Sequence, residues 1–96
     1  MNYIDQRALR IHRIVHPGEP FTSENDLNLY RIYAVLSMSK GVDTSLEDVH
    51  DAWAAWTAMY QPGHRSLIPF DELSPEVQAL DQPYADAIRM AAQEES

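Results

Sequence analysis

One stretch limits what this chain can fold into: TSLEDVHDAWAAWTAMY, QPGHRSLIPFDEL and SPEVQALDQPYADAI, in sequence from Thr44 to Ile88. In its first part Leu46, Val49, Trp53, Trp56 and Tyr60 recur at steps of three and four. That spacing stacks five apolar side chains on one face of a helix. Thr44 and Glu47 fit a capping box at its start, and Pro62-Gly63 ends it. Ala52, Ala55 and Met59 widen the apolar sector, so other helices are expected to surround this one. The following link, His64 to Phe70, is expected to be ordered. It sets Leu67, Ile68 and Phe70 beside Pro69, which biases Ile68 toward extended backbone.

A second central helix is expected before it. Thr22 or Ser23 caps its start, Glu24 and Asp26 suit its positive end, and it runs to about Lys40. Gly41 is placed for a left-handed C-terminal cap. Its apolar set, Leu27, Leu29, Tyr30, Ile32, Tyr33, Val35, Leu36 and Met38, covers most of the circumference. An amphipathic first helix, Asn2 to Val15, carries the stripe Ile4, Ala8, Ile11 and Val15. It is joined through the loop His16-Pro17-Gly18-Glu19-Pro20. After Phe70, Asp71-Glu72-Leu73 reads as a helical turn. Ser74 then caps a helix with Pro75 at its first position, and Val77 and Leu80 are expected to pack inward. Asp81 is placed to cap again before Pro83. Tyr84, Ala87, Ile88 and Ala91 continue a stripe, and Gln93 to Ser96 are expected to fray. The expected fold is therefore all-α, a compact bundle of four to five helices in a single domain spanning 1–96, with the Pro-Phe link ordered before the C-terminal helices.

Composition narrows the function. The 96 residues hold no cysteine, which excludes disulfides and thiolate metal sites. A reducing cytoplasm is the simplest setting. MNYIDQRALR lacks the apolar run of a secretory signal, and no segment approaches the about 20 apolar residues of a membrane span. The net charge is −8, with only seven Lys and Arg residues. That argues against a nucleic-acid footprint, which needs clustered cations. The turn from Gly41 to Asp43 between two helices has a helix-turn-helix outline. Its second helix, however, opens with Glu47, Asp48 and Asp51, the wrong charge for phosphate.

Catalytic signatures are missing as well. No Gly-rich phosphate loop, H-E-x-x-H or G-x-S-x-G occurs. His50 and Asp51 lie about 100° apart on a helix and do not form an acid-base pair. His50, His64 and Asp71 form a weak candidate metal set. A structural histidine fixing the link is the preferred reading, and no metal or cofactor is expected. Arg7, Arg10 and Arg13 make a small basic ridge that is read as pairing with the chain's own surplus carboxylates. Trp53 is expected to be buried, and Trp56 is the candidate interface anchor.

Several of these residues carry a resemblance. His50 and Trp53 form H-x-x-W on a helix. His64, Leu67, Pro69, Phe70, Glu72 and Leu73 form H-x-x-L-x-P-F-x-E-L, and Asp81 with the closing helix completes the pattern. This resembles the ryanodine-receptor (RyR) domain over residues of about 44–92. The whole chain is also similar to small proteins of actinobacteria and their phages. The resemblance implies a mostly helical module in which His50, Trp53, His64, Pro69, Phe70 and Asp81 are structural positions. It also implies a ligand-sensing or protein-interaction role. The family's Gly- and Trp-containing segment before the Pro-aromatic link is replaced here by Gln61-Pro62-Gly63, so contacts from that segment are absent.

Two functions follow as expectations. The first is a small non-enzymatic interaction or regulatory protein with a protein partner, phage-encoded and directed at a host component. The second is a sensor of a small anionic ligand such as a nucleotide. There Arg65, Arg10 or Arg13 would face a pocket lined by Tyr30, Tyr33 or Trp56.

Overall fold

The computed structural model describes residues 2–94. Among them are four long helices and one short one: α1 (Tyr3–Val15), α2 (Glu24–Ser39), α3 (Leu46–Tyr60), α4 (Pro75–Ala79) and α5 (Gln82–Glu94). Tight 3₁₀ turns at Gly41–Asp43 and Phe70–Glu72 precede α3 and α4. No strand occurs among the described residues, so the fold is all-α.

Helices α1 to α4 each start where a short polar side chain takes an orphan backbone donor. Asn2 accepts from the Asp5 amide, Ser23 from Asp26 and Ser74 from Val77. The capping box of α3 falls one residue later than Thr44 and Glu47. Ser45 and Asp48 exchange the two bonds, at 3.1 and 2.9 Å. Thr44 is occupied elsewhere. Its hydroxyl donates to the Gly41 carbonyl at 2.7 Å, and the Arg89 Nε–H donates to its own carbonyl at 2.7 Å. Gly41 sits at φ +57°, the left-handed geometry that reverses the chain between α2 and α3.

Helices α1, α2 and α5 form the dry half of the molecule. Ala8 and Ile11 from α1, Tyr30, Tyr33 and Ala34 from α2, and Ala85, Ala87, Ile88 and Ala91 from α5 are all buried. The alanines let the three backbones approach, and the tyrosine rings fill the remaining space. Tyr30 meets Tyr33 edge-on at 5.5 Å, and Tyr33 meets Tyr84 at 5.8 Å. Two polar ties lock the set. Ser37 donates to the Ile88 carbonyl at 3.0 Å while accepting from Arg7 at 2.8 Å, and Arg31 grips Asp5 at 2.7 Å. Helix α2 is central, although Val35 and Met38 leave its circumference and face solvent.

Helix α3 is less enclosed than its composition suggests. Val49, His50 and Thr57 are buried, but Ala55, Met59 and Tyr60 are exposed. Helices pack on one side of it only, because the chain after Tyr60 turns back as an irregular link. Leu80 also departs from expectation: it is 66% exposed, and Val77 is half-buried. With five residues, α4 is too short to press two apolar side chains onto the core. At the C-terminus α5 continues through Glu94, which pairs with Arg10 at 3.4 Å. Of the stretch expected to fray, Gln93 and Glu94 are therefore helical, while 95 and 96 lie outside the described residues.

Candidate functional site

The link from 61 to 73 is held by short local bonds and by one histidine at each end. The His64 amide donates to the Gln61 carbonyl at 3.0 Å and the Leu67 amide to the His64 carbonyl at 3.1 Å. The Ser66 amide donates to His64 Nδ1 at 3.0 Å. A ring nitrogen that accepts carries no proton, so neutral His64 holds its proton on Nε2. His50 works in the opposite sense. Its Nε2 lies 2.7 Å from the Ile68 carbonyl, which can only accept, so Nε2 is the protonated nitrogen. Phe70 closes the link: its carbonyl accepts from Gln78 at 2.9 Å, and its ring lies 6.1 Å from His50. Pro69 initiates the following 3₁₀ turn, its carbonyl accepting from the Glu72 amide at 2.9 Å.

Because the link stands off the helices, a cleft of about 350 Å³ remains between α2, α3, the link, α4 and the start of α5. One wall is His50, Trp53 and His64. His50 stacks on Trp53 at 5.6 Å, and His64 meets the indole edge-on at 5.1 Å. Tyr84 from α5 and the edge of the nearly buried Tyr33 from α2 complete the aromatic lining. Leu29, Val77 and the exposed Leu80 supply aliphatic surface, and Ser66 and Asp81 are polar members of the lining.

Asp81 is the electrostatic centre of the cleft. Burial pushes its carboxyl above the ordinary value, and nearby His50 pulls it partly back. Among the described residues its carboxylate takes no hydrogen bond and no ion pair. The expected capping role falls instead to its backbone carbonyl, which accepts from the Ala85 amide at 3.0 Å. The phenol of Tyr84 is raised by burial first and then by the charges of Asp26 and Asp81. Tyr33 is raised further, chiefly by burial.

The structure gathers only part of the set that the sequence singled out. Tyr33, His50, Trp53, His64 and Asp81 meet in the cleft. Tyr30 is core, packed edge-on against His12 at 4.9 Å and against Phe21 at 5.7 Å. Trp56 is half-buried outside the cleft, with its indole N–H donating to the Asn25 carbonyl at 2.7 Å. Its ring lies 5.4 Å from Tyr60, whose hydroxyl accepts from Asn28 at 3.3 Å. Arg10 pairs with Glu94, Arg13 is exposed on α1, and Arg65 is exposed on the link without lining the cleft. The cations expected around an anion are thus spread over the molecule. Asp71 is exposed in the 3₁₀ turn and does not join His50 and His64. Among the described residues no group of three His, Asp or Glu side chains could hold a metal ion.

Sequence reasoning placed Tyr84 in a packing stripe and missed its second face. The available signal was the spacing from Asp81 to Tyr84, one helical turn at the start of α5, which turns both toward one side. His12 was missed entirely as a buried group. It is 2% exposed, lies 4.2 Å from the Phe21 ring, and its Nδ1 has no partner among the described residues.

A family model described as "Domain of unknown function (DUF7701)" matches residues 2–93, which is nearly the whole chain. No curated protein and no solved structure matches it.

Proposed function

The chain belongs to the DUF7701 family, and we propose that it is a small non-enzymatic interaction domain whose working surface is the aromatic cleft. One observation carries this reading: a mostly apolar cleft remains open beside a well-filled core, with Leu80 two-thirds exposed in its lining. Exposed apolar surface around a concave site is what a partner's side chain covers. The two cleft histidines serve structure, since His50 secures Ile68 and His64 secures Ser66. That leaves them as walls of a binding surface rather than as an acid and a base. The proposal extends to setting: a cytoplasmic partner, and a host component if a phage encodes the chain.

Affinity capture tests it with three forms of the chain: wild type, Leu80→Glu in the cleft, and Glu47→Gln on exposed α3 surface. A partner retained by wild type and Glu47→Gln but reduced at least about tenfold by Leu80→Glu supports the cleft, tenfold being about 1.4 kcal/mol of lost contact. Equal retention by all three contradicts it. With Tyr33 buried, the sensor reading keeps Trp53 as a ring platform for a base. It lacks a cation to meet phosphate, because no Lys or Arg lines the cleft among the described residues.

A further inference from the structure

We propose that the cleft receives a basic side chain from a partner protein segment, with the cationic head against the Asp81 carboxylate and the aliphatic stem along Trp53 and Tyr84. This rests on the reading of the cleft as an interaction surface and names what it recognises.

Charge decides the sign of the ligand. Among the described residues that line the cleft, Asp81 is the only acid, and neither Lys nor Arg is present. An anion placed there would meet a carboxylate with no Lys or Arg in the lining to offset it. A neutral apolar group would fill the space but leave the carboxylate half-buried and unpaired, which is costly in a low-dielectric site. A cation removes that cost. It also gains from the rings, because the faces of Trp and Tyr attract ammonium and guanidinium groups. The half-buried rings of Tyr84 and Trp53, both in the cleft lining, supply those faces.

The carboxylate is not explained by its own fold. Asp5 is engaged by Arg31, Asp48 by Ser45 and Lys40, and Glu94 by Arg10, while Glu47, Asp51, Asp71, Glu72 and Glu76 are exposed to solvent. Asp81 takes no hydrogen bond or ion pair among the described residues; burial disfavours its charge, and nearby His50 offsets that only in part. A group that weakens the free protein and matches an absent cation is the pattern of a recognition residue.

The source of the cation follows from the surroundings. The net charge of −8 draws basic partners toward the surface. Leu80, 66% exposed in the lining, and Ile68, 41% exposed on the adjoining link, offer apolar contact to residues flanking a basic side chain. A free amine would leave both uncovered, whereas a peptide segment covers them.

The test is amide-resolved NMR titration of the full chain with four probes. These are the capped tripeptide acetyl-Leu-Lys-Leu-amide, its norleucine analogue, its glutamate analogue, and n-butylamine. The lysine tripeptide is expected to perturb the Trp53 indole and the amides of Ser66, Asp81 and Tyr84. It should bind about tenfold more tightly than the norleucine form, the ratio expected when one charge-assisted contact is added. Asp81→Asn should bring lysine binding down to the norleucine level and leave norleucine binding unchanged. The same variant should melt at or above the wild-type temperature, which separates lost binding from lost folding. The glutamate probe should not bind.

Norleucine binding as tightly as lysine, or lysine binding unchanged in Asp81→Asn, overturns the cation assignment and leaves the cleft standing as a contact surface. Butylamine binding as tightly as the lysine tripeptide overturns the partner segment in favour of a free amine. No cleft perturbation by any probe overturns this inference. The interaction reading itself stands or falls separately, on loss of capture by Leu80→Glu.

Discussion

Helices α1, α2 and α5 pack as a closed body, whereas α3, the link and α4 lean against it and leave a gap. The contrast lies in side-chain size and in regularity of backbone. In the closed half small residues such as Ala8, Ala34, Ala85 and Ala91 are fully buried and permit close helix contact. In the open half the bulky rings of His50 and Trp53 face an irregular segment that meets them through His64 instead of meshing as a helix would. Packing that fills space gives stability, and packing that leaves a shaped remainder gives a place to bind.

The largest effect that can break this comparison comes from the closed half. Ile88 is fully buried between α5 and its neighbours. Ile88→Ala should cost about 3 kcal/mol by removing buried methyl groups and leaving a cavity. Urea unfolding checks it, and a cost below about 1 kcal/mol would mean that the three-helix body is not the stabilising unit.

Next comes the link. His64→Ala removes the acceptor of the Ser66 amide and should cost about 1 kcal/mol. The same change should alter the emission of Trp53, its edge-on neighbour. An unchanged melting temperature with unchanged emission would show that His64 does not shape the link.

A smaller effect is expected from His12, on the closed side. Burial holds its imidazole below the ordinary value of 6.5, with His16 acting the same way and Asp26 and Glu19 opposing. The unfolded chain therefore binds a proton that the folded chain resists, so stability rises with pH in this range. The contribution is present above about pH 6.5 and is lost as pH falls below it. His12→Phe should cost little at pH 7.5, because Nδ1 has no partner to lose and Nε2 gives up only a long 3.9 Å approach to Asp26. It should also flatten the decline in melting temperature between about pH 6.5 and 5. An identical decline in both forms would assign the proton to another group.

The smallest stability effect belongs to the open half. Leu80→Glu should shift stability by no more than about 0.5 kcal/mol, the range for surface changes, because Leu80 is already 66% exposed. A large loss would show that Leu80 packs as core.

Much of the helix layout was legible from local signals. Ser23, Gly41, Ser74 and Pro75 mark helix ends by their own chemistry, and periodic apolar residues mark faces. The α3 cap slipped by one residue because Thr44 and Ser45 are equally suited to it locally. What separates them is Arg89, distant in sequence, which ties up the Thr44 carbonyl. The order of the Pro-Phe link was readable from Pro69 and its apolar neighbours, but the space beneath it was not. A cleft depends on how far α5 stands from α3, and no spacing within either helix encodes that distance. Asp81 illustrates the limit: by position it is a cap, and only packing against Tyr33, Tyr84 and His50 makes it an unpaired charge in an aromatic recess.

Photo-crosslinking tests the division between filled and open halves most directly. A benzophenone amino acid is placed at Leu80 in the cleft lining and, separately, at Val35, which is 52% exposed and outside the cleft. The account predicts a discrete partner adduct from position 80 and none from position 35. An adduct from position 35 alone, or equal adducts from both, would contradict it.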